Sequence, residues 1–124
     1  MTLPRPTDGE LAILNVLWDR GPSTVRQVHE VIMQDRDLGY TTVLKMLQVM
    51  MEKGLVLRDE RERTHVYAPA QSKVQTQKGL VEDLLGRAFG GSALNLVVQA
   101  LSATKASAEE LRQIRALIDR KEGA

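Results

Sequence analysis

Small hydroxyl, amide and amine groups recur at helical spacing in the segment from Tyr40 to Gly54. Apart from one lysine and one glutamate this polar face is uncharged, whereas an ordinary solvated helix face is filled with Glu and Lys. Short polar side chains of this kind can enter a DNA major groove and hydrogen-bond to base edges and phosphates. We therefore regard the face as a candidate DNA reader, with a plain amphipathic core helix as the alternative. Its residues are Thr41, Lys45, Gln48 and Glu52, flanked by Thr42, Leu44 and Val49.

The other side of the same segment is apolar, and the segment has a clear end. Gly54 is a helix stop, because glycine takes the left-handed cap conformation without steric cost. The spacing therefore predicts a helix that packs one side on a core and offers the other to a partner. The predicted core side consists of Val43, Met46, Leu47, Met50 and Met51.

Two helices are predicted before this segment. The first begins at a capping box, Thr7 to Glu10, and stops at Gly21-Pro22. Ser23 is predicted to cap the second, which runs to about Gln34 and carries Arg26 in its first turn, where a helix beside DNA often contacts a phosphate. A four-residue link from 36 to 39 then leads to Tyr40, which gives a helix-turn-helix pattern.

The pattern changes to alternation after Gly54. Two strands, 55–58 and 64–68, flank the charged turn 59–63 and predict a β-hairpin, the wing of a winged helix. Arg58, Arg61 and Arg63 are expected to line its tip and to contact phosphates or the minor groove. A solvated turn neutralised by Glu60 and Glu62 is the alternative for Arg61 and Arg63.

Three short helices are predicted from Ser72 onward, and they carry more apolar surface than a small winged helix can cover. Such faces normally find a partner, and the economical partner is a second copy of the chain. The candidate dimerisation residues are Leu84, Leu85, Phe89, Leu94, Val97, Leu101, Leu111, Ile114 and Ile118.

Composition and length narrow the classes of protein. The chain of 124 residues contains no cysteine, which excludes a disulfide framework and Cys-ligated metal sites. The net charge is only +1, and residues 1–71 hold nine basic against ten acidic side chains, so any positive charge used on DNA must be positioned rather than abundant. No apolar run approaches the ~18 residues that a membrane span needs, which predicts a cytoplasmic protein. The predicted architecture is mainly α with one small β-hairpin. It consists of a winged-helix DNA-binding domain over residues 1–71 and a helical dimerisation domain over residues 72–124.

An enzyme has almost no support in the sequence. There is no thiol, no phosphate-cradling glycine loop and no nucleophile beside either histidine, His29 or His65. We predict neither a metal nor a cofactor. A second class stays open, a winged-helix scaffold that binds another protein, which the near-neutral charge favours and which salt dependence of binding would discriminate.

Five segments in combination resemble the penicillinase and methicillin-resistance repressor family. The matching segments are TDGELAILNVLW (7–18), STVRQVHEV (23–31), YTTVLKMLQVMMEKGLV (40–56), THVYA (64–68) and FGGS (89–92). The resemblance implies a homodimeric repressor that reads a palindromic operator, with Thr41, Thr42, Lys45 and Val49 facing the DNA. Val49 is a departure, since better-known members have arginine there, so their operator sequence should not be transferred.

The resemblance also implies induction by proteolysis, in which a membrane sensor protease signals an antibiotic and the repressor is cut in its dimerisation region. The corresponding bond here joins Asn95 to Leu96, whereas the known members are cut between Asn and Phe. A related copper-responsive branch carries C-terminal cysteines, and their absence here disfavours copper sensing.

Overall fold

The computed structural model describes residues 4–123, which form six helices and one two-stranded antiparallel sheet. The elements in chain order are α1 (Asp8–Arg20), α2 (Val25–Ile32), α3 (Tyr40–Lys53), β1 (Val56–Asp59), β2 (Val66–Pro69), α4 (Lys73–Phe89), α5 (Ala93–Ala103) and α6 (Ala108–Gly123). The predicted class, mainly α with one small hairpin, is confirmed.

Helix α1 begins as its sequence predicts. The Thr7 hydroxyl accepts a hydrogen bond from the Glu10 backbone N–H at 3.2 Å, and the Glu10 carboxylate accepts one from the Thr7 N–H at 2.9 Å. This reciprocal capping box satisfies two backbone donors that a helix start leaves without partners. The helix ends at Gly21, whose φ of 89° is a conformation that side-chain-bearing residues rarely adopt.

The predicted cap of α2 was wrong by one residue. Thr24, not Ser23, is the N-cap: its hydroxyl accepts from the Gln27 N–H at 3.2 Å, and the Gln27 side chain returns a bond to the Thr24 N–H at 2.9 Å. Ser23 is unavailable because its backbone is paired with Tyr67, through bonds of 2.9 and 2.8 Å. The helix also ends at Ile32, two residues earlier than expected.

Helix α3 divides into two faces as predicted. Val43, Leu47 and Met50 are fully buried, and Met46 and Met51 pack against them partly exposed. Gly54 adopts the left-handed conformation at φ 82°, and its N–H bonds back to Met51 O at 3.1 Å. This glycine turns the chain directly into β1.

The hairpin that follows α3 is the predicted wing, displaced by one residue in its first strand. In its antiparallel register Arg58 lies opposite Tyr67, and Val56 lies opposite Pro69. Tyr67 is only 1% exposed and also pairs with Ser23, so the hairpin is joined to the loop between α1 and α2. The wing is thereby fixed to the helix-turn-helix at its base.

All buried apolar side chains among the described residues come from α1, α2, α3, the hairpin and Leu55 in the short turn before β1. Trp18 packs against this core partly exposed and donates its indole N–H to Gln71 O at 3.1 Å. The core comprises Ile13, Leu14, Val16, Leu17, Val25, Val28, Ile32, Val43, Leu47, Met50, Leu55, Val56 and Tyr67.

The last three helices begin at serine caps. Ser72, Ser92 and Ser107 accept hydrogen bonds from the backbone N–H three residues ahead, at 3.0–3.1 Å. The chain divides into two compact units between Val81 and Glu82, inside α4. The domain boundary predicted from the sequence lies between residues 71 and 72, and it stays a prediction.

Within residues 4–123, no single helix has the length and apolar character needed to cross a membrane. Helices α4 and α5 meet that test only as a pair, and they are bent by 105° where they join.

Candidate nucleic-acid interface

The predicted reading face of α3 is exposed over its whole length. Thr41, Thr42, Lys45, Gln48 and Val49 all face away from the buried side of the helix. The Lys45 ammonium makes no ion pair with any residue in the described range 4–123. Val49 is 40% exposed, although no packing requires an apolar residue there. The face is therefore available to a partner and carries one unneutralised positive charge.

The first end of α3 is positioned by a contact that we did not predict. Nε2 of His29, in α2, lies 2.9 Å from the Leu38 carbonyl oxygen in the turn. The His29 ring also packs edge-on against Tyr40, the first residue of α3, with 6.0 Å between ring centroids. Local sequence assigned His29 no contact of this kind, because the path of the turn, which local sequence does not encode, brings Leu38 and Tyr40 to its ring.

The other end of α3 is tied to α1. The Lys53 ammonium donates to Glu10 Oε1 at 2.6 Å, and Glu10 is only 5% exposed. Burial by itself raises the pKa of the Glu10 carboxyl, but the hydrogen bonds from Lys53 and Thr7, with the Lys53 charge, hold that pKa below its usual value. One carboxylate thus serves the α1 cap and the end of the reading helix together.

The cation predicted in α2 is exposed and partly engaged. The Arg26 guanidinium lies 3.4 Å from the Glu30 carboxylate, one turn along the helix, and both side chains are mostly solvated. An exposed pair at this spacing is weak, so Arg26 remains able to reach a phosphate.

The wing arginines are arranged differently from the sequence expectation. The Arg61 guanidinium forms an ion pair with the Asp59 carboxylate, with 2.7 Å between Nη2 and Oδ2. This contact lowers the pKa of the Asp59 carboxyl to about 2. Arg58 lies within β1 rather than at the tip, opposite Tyr67 in the hairpin register, and it pairs with Glu60. Arg63 is exposed and has no ion pair within residues 4–123. The alternative for this turn was neutralisation of Arg61 and Arg63 by Glu60 and Glu62, whereas the carboxylate that pairs with Arg61 is Asp59.

The five predicted cations therefore fall into two groups. Lys45 and Arg63 are without an ion pair in the described part of the chain, whereas Arg26, Arg58 and Arg61 each contact a carboxylate. The free charges are few, which agrees with the net charge of +1. No group of three metal-ligating side chains comes together in residues 4–123.

The side chains predicted for a dimer interface lie on helices without a single buried residue among those described. Leu85, Phe89, Leu111 and Ile114 are half-buried. The more exposed group comprises Leu84 (48%), Leu94 (72%), Val97 (41%), Leu101 (39%) and Ile118 (49%).

The predicted cleavage position lies at the start of α5. The Asn95 N–H donates to the capping hydroxyl of Ser92 at 3.1 Å, and Asn95 is exposed while Leu96 is half-buried. The bond between them is therefore inside the first helical turn.

Comparison with solved structures identifies the same fold. The chain is similar to Bacillus licheniformis BlaI, determined in solution as its monomeric form in complex with the blaP half-operator, with a TM-score of 0.52 and 22% identity over 58% of this chain and 88% of that one. It is also similar to RosR of H. salinarum, with a TM-score of 0.52 and 19% identity over 95% of this chain and 94% of that one. At such identities the likeness shows a shared winged-helix fold.

Sequence comparison gives a closer relationship. The chain is 45% identical over 87 residues to the transcriptional regulator BlaI of Mycobacterium tuberculosis, in two strains. The match covers 69% of this chain but 63% of the relative, so the chain spans a little under two-thirds of the length of those relatives. A family described as penicillinase repressor matches residues 6–120. Since that match covers nearly the whole sequence, the chain belongs to the penicillinase repressor family, whose members are transcriptional regulators rather than enzymes.

Proposed function

We propose that this chain is a sequence-specific DNA-binding repressor that acts in the cytoplasm as a homodimer on a palindromic operator. The observation that carries the proposal is the exposed polar face of α3, held at both ends. His29 bonds the turn before it at 2.9 Å, and Glu10 bonds Lys53 at its end at 2.6 Å. A reading helix needs such support, because base contacts tolerate little displacement.

Sequence reading is assigned to α3. Thr41, Thr42 and Gln48 offer hydrogen-bonding groups, and Lys45 offers the unpaired ammonium that can reach a guanine edge or a phosphate. The exposed Val49 has no polar group and suits the methyl group of a thymine. Loss of a guanine-binding arginine at this position is expected to give an operator different from those of the better-known family members.

Binding to the DNA backbone is assigned to Arg26 in α2 and to the wing. Arg63 is exposed at the turn, and Arg58 and Arg61 lie beside it. Phosphate contacts of this kind fix the register of the protein on the duplex without reading sequence. They also make affinity fall steeply with salt.

A homodimer is supported by the C-terminal helices. Helix α5 has a mostly apolar sequence, yet Leu94, Val97, Val98 and Leu101 are all at least 39% exposed. Apolar surface of that extent on consecutive helical turns normally marks an interface. A second copy would cover it and would place two reading helices on the two halves of a palindrome.

Relief of repression by cleavage between Asn95 and Leu96 is part of the proposal. Because this bond is in a helical turn, α5 must unwind locally before a protease can bind it in extended form. Incubation with the cognate membrane sensor protease, followed by mass spectrometry, tests this step. An intact chain after derepression would remove it.

The central test is fluorescence anisotropy on labelled DNA from upstream of the protein's own gene, at low and near-physiological salt, beside a scrambled duplex. The proposal predicts sequence-selective binding that weakens as salt rises. If binding is indifferent to sequence, a selection from random duplexes decides between an operator elsewhere and a scaffold that binds protein.

A further inference from the structure

The wing contains two arginines that the protein has already paired with its own carboxylates. Arg61 donates to Asp59 through Nε at 3.1 Å and through Nη2 at 2.7 Å, and Asp59 also accepts the Arg61 backbone N–H at 3.0 Å. The Arg61 side chain is 88% exposed, so its position is set by this fork-to-carboxylate contact and not by packing. In such a contact the guanidinium already uses its Nε/Nη2 edge, one of the donor pairs that can bind a phosphate.

Arg58 forms a second pair, which is less exposed than the first. It lies opposite the buried Tyr67 in the hairpin and pairs through Nη2 with Glu60. Its side chain is 22% exposed, and its Nε is inaccessible with no hydrogen-bond partner in the described residues. The Glu60 side chain is 52% exposed, so the partner of Arg58 is open to solvent although Arg58 itself is largely covered.

Both pairs border the same open groove of about 500 Å³ along the hairpin. Its remaining lining residues are Pro22, Leu57, Val66 and Ala68. Arg58 and Asp59 are consecutive in β1, so their side chains leave the strand on opposite faces, and the two pairs are separate positions beside this groove. Carboxylate and phosphate present similar planar pairs of oxygens to an arginine fork, so a phosphate can take the place of either carboxylate.

We propose that the Asp59 and Glu60 carboxylates occupy two phosphate-binding positions of the wing, at Arg61 and Arg58, and that backbone phosphates of DNA replace them on binding. This inference rests on the proposed function and names the ligand of the wing. In the free protein the two pairs hide positive charge. Each carboxylate displaced by a phosphate is left near the DNA, where it takes up a cation from solution and so offsets part of the counterion release.

The proposal predicts that removing a charged side chain that makes an ion pair in the wing strengthens DNA binding, whereas loss of an ion pair in a binding hairpin would ordinarily be expected to weaken it. Asp59→Asn and Glu60→Gln should each tighten operator binding by roughly two- to fivefold per wing, the size of one exposed ion pair. The slope of log affinity against log salt should steepen by about one unit per wing, since the freed arginine binds phosphate without cation uptake. Asparagine still accepts the Arg61 N–H, so the turn keeps its shape.

Glu62→Gln is the matched control. Glu62 lies in the same turn and carries the same charge, but makes no ion pair within residues 4–123. Anisotropy titrations of the full chain on one selected duplex, at several salt concentrations, should give it a smaller gain than either test variant. An equal gain in all three variants, or no gain at Asp59 and Glu60, would overturn the proposal.

A second background separates release of an arginine from simple loss of negative charge. In Arg61→Ala, the Asp59→Asn change has no guanidinium to free, so its gain should drop to that of Glu62→Gln. A full gain in that background would contradict the exchange. If the wild-type chain binds no duplex selectively, the proposed function itself fails, which is a different outcome from a normal operator complex that these variants do not alter.

Discussion

The N-terminal and C-terminal regions of this chain differ in how much of their apolar surface is buried. Helices α1–α3 and the hairpin bury a continuous core that includes Ile13, Leu47 and Tyr67, each at most 1% exposed. Helices α4–α6 have no fully buried side chain among their described residues, although α5 is the most apolar helix of the chain. The first region has a hydrophobic core within a single copy of the chain. The second region has enough apolar residues for a core, but leaves them exposed or half-buried.

This difference assigns separate tasks to the two regions. A region with its own core can hold a reading helix still, because its packing does not depend on a partner. The proposed homodimer implies that the region with uncovered apolar helices depends on association, so its stability should vary with protein concentration. The predictions below test this contrast, beginning with the largest effect.

Loss of a core side chain should be costly at any protein concentration. Leu47→Ala opens a cavity beneath α3 and is expected to lower the free energy of unfolding by about 2–5 kcal/mol. Urea denaturation at two protein concentrations measures it. Leu101→Ala, in α5, is the matched leucine truncation at a partly exposed position, and its effect should instead depend on concentration. If Leu101→Ala lowered the free energy of unfolding by the same amount at both protein concentrations, the proposed difference between the two regions would be contradicted.

Loss of the unpaired lysine on α3 should affect DNA and not stability. Lys45→Ala is expected to weaken operator binding by about 1–3 kcal/mol, the usual size of one good polar base contact. Anisotropy at matched salt measures it. Lys105→Ala removes the same charge from the link between α5 and α6 and should leave affinity nearly unchanged. Equal losses in the two variants would mean that Lys45 acts only through net charge.

The Glu10–Lys53 pair should make the first region sensitive to acid. The pKa of Glu10 is lowered on folding, so its contribution is present at neutral pH and is lost as the pH falls below its ordinary value of 4.5. Glu10→Gln should cost about 1 kcal/mol at pH 7, since Lys53 is partly solvated, and should reduce this acid sensitivity. Urea midpoints from neutral to acidic pH measure both effects. Glu52→Gln, an exposed change on α3, should keep the wild-type pH profile.

Much of this arrangement could be predicted from local sequence. Helical spacing from Val43 to Met50 predicted the two faces of α3, and the capping box at Thr7 predicted the start of α1, because these signals depend on neighbouring residues only. The fold class followed from the change of period after Gly54.

The errors came from contacts between distant parts of the chain. Ser23 pairs with Tyr67 and leaves the cap to Thr24, and His29 reaches Leu38 and Tyr40 across the turn. The wing charges were predicted as a set, but the hairpin geometry selects Asp59 for Arg61. No local pattern encodes such choices, since each depends on where the backbone returns.

The most direct test of the contrast is the mass of the protein–operator complex by sedimentation, with a selected duplex at near-physiological salt. The account predicts a complex of one duplex with two protomers of 13.8 kDa each. The variant Val97→Asp/Leu101→Asp, altered only in α5, should remain folded but no longer form that complex at the same concentration. A selective complex with a single protomer, or a double variant that still binds as a pair, would contradict the account.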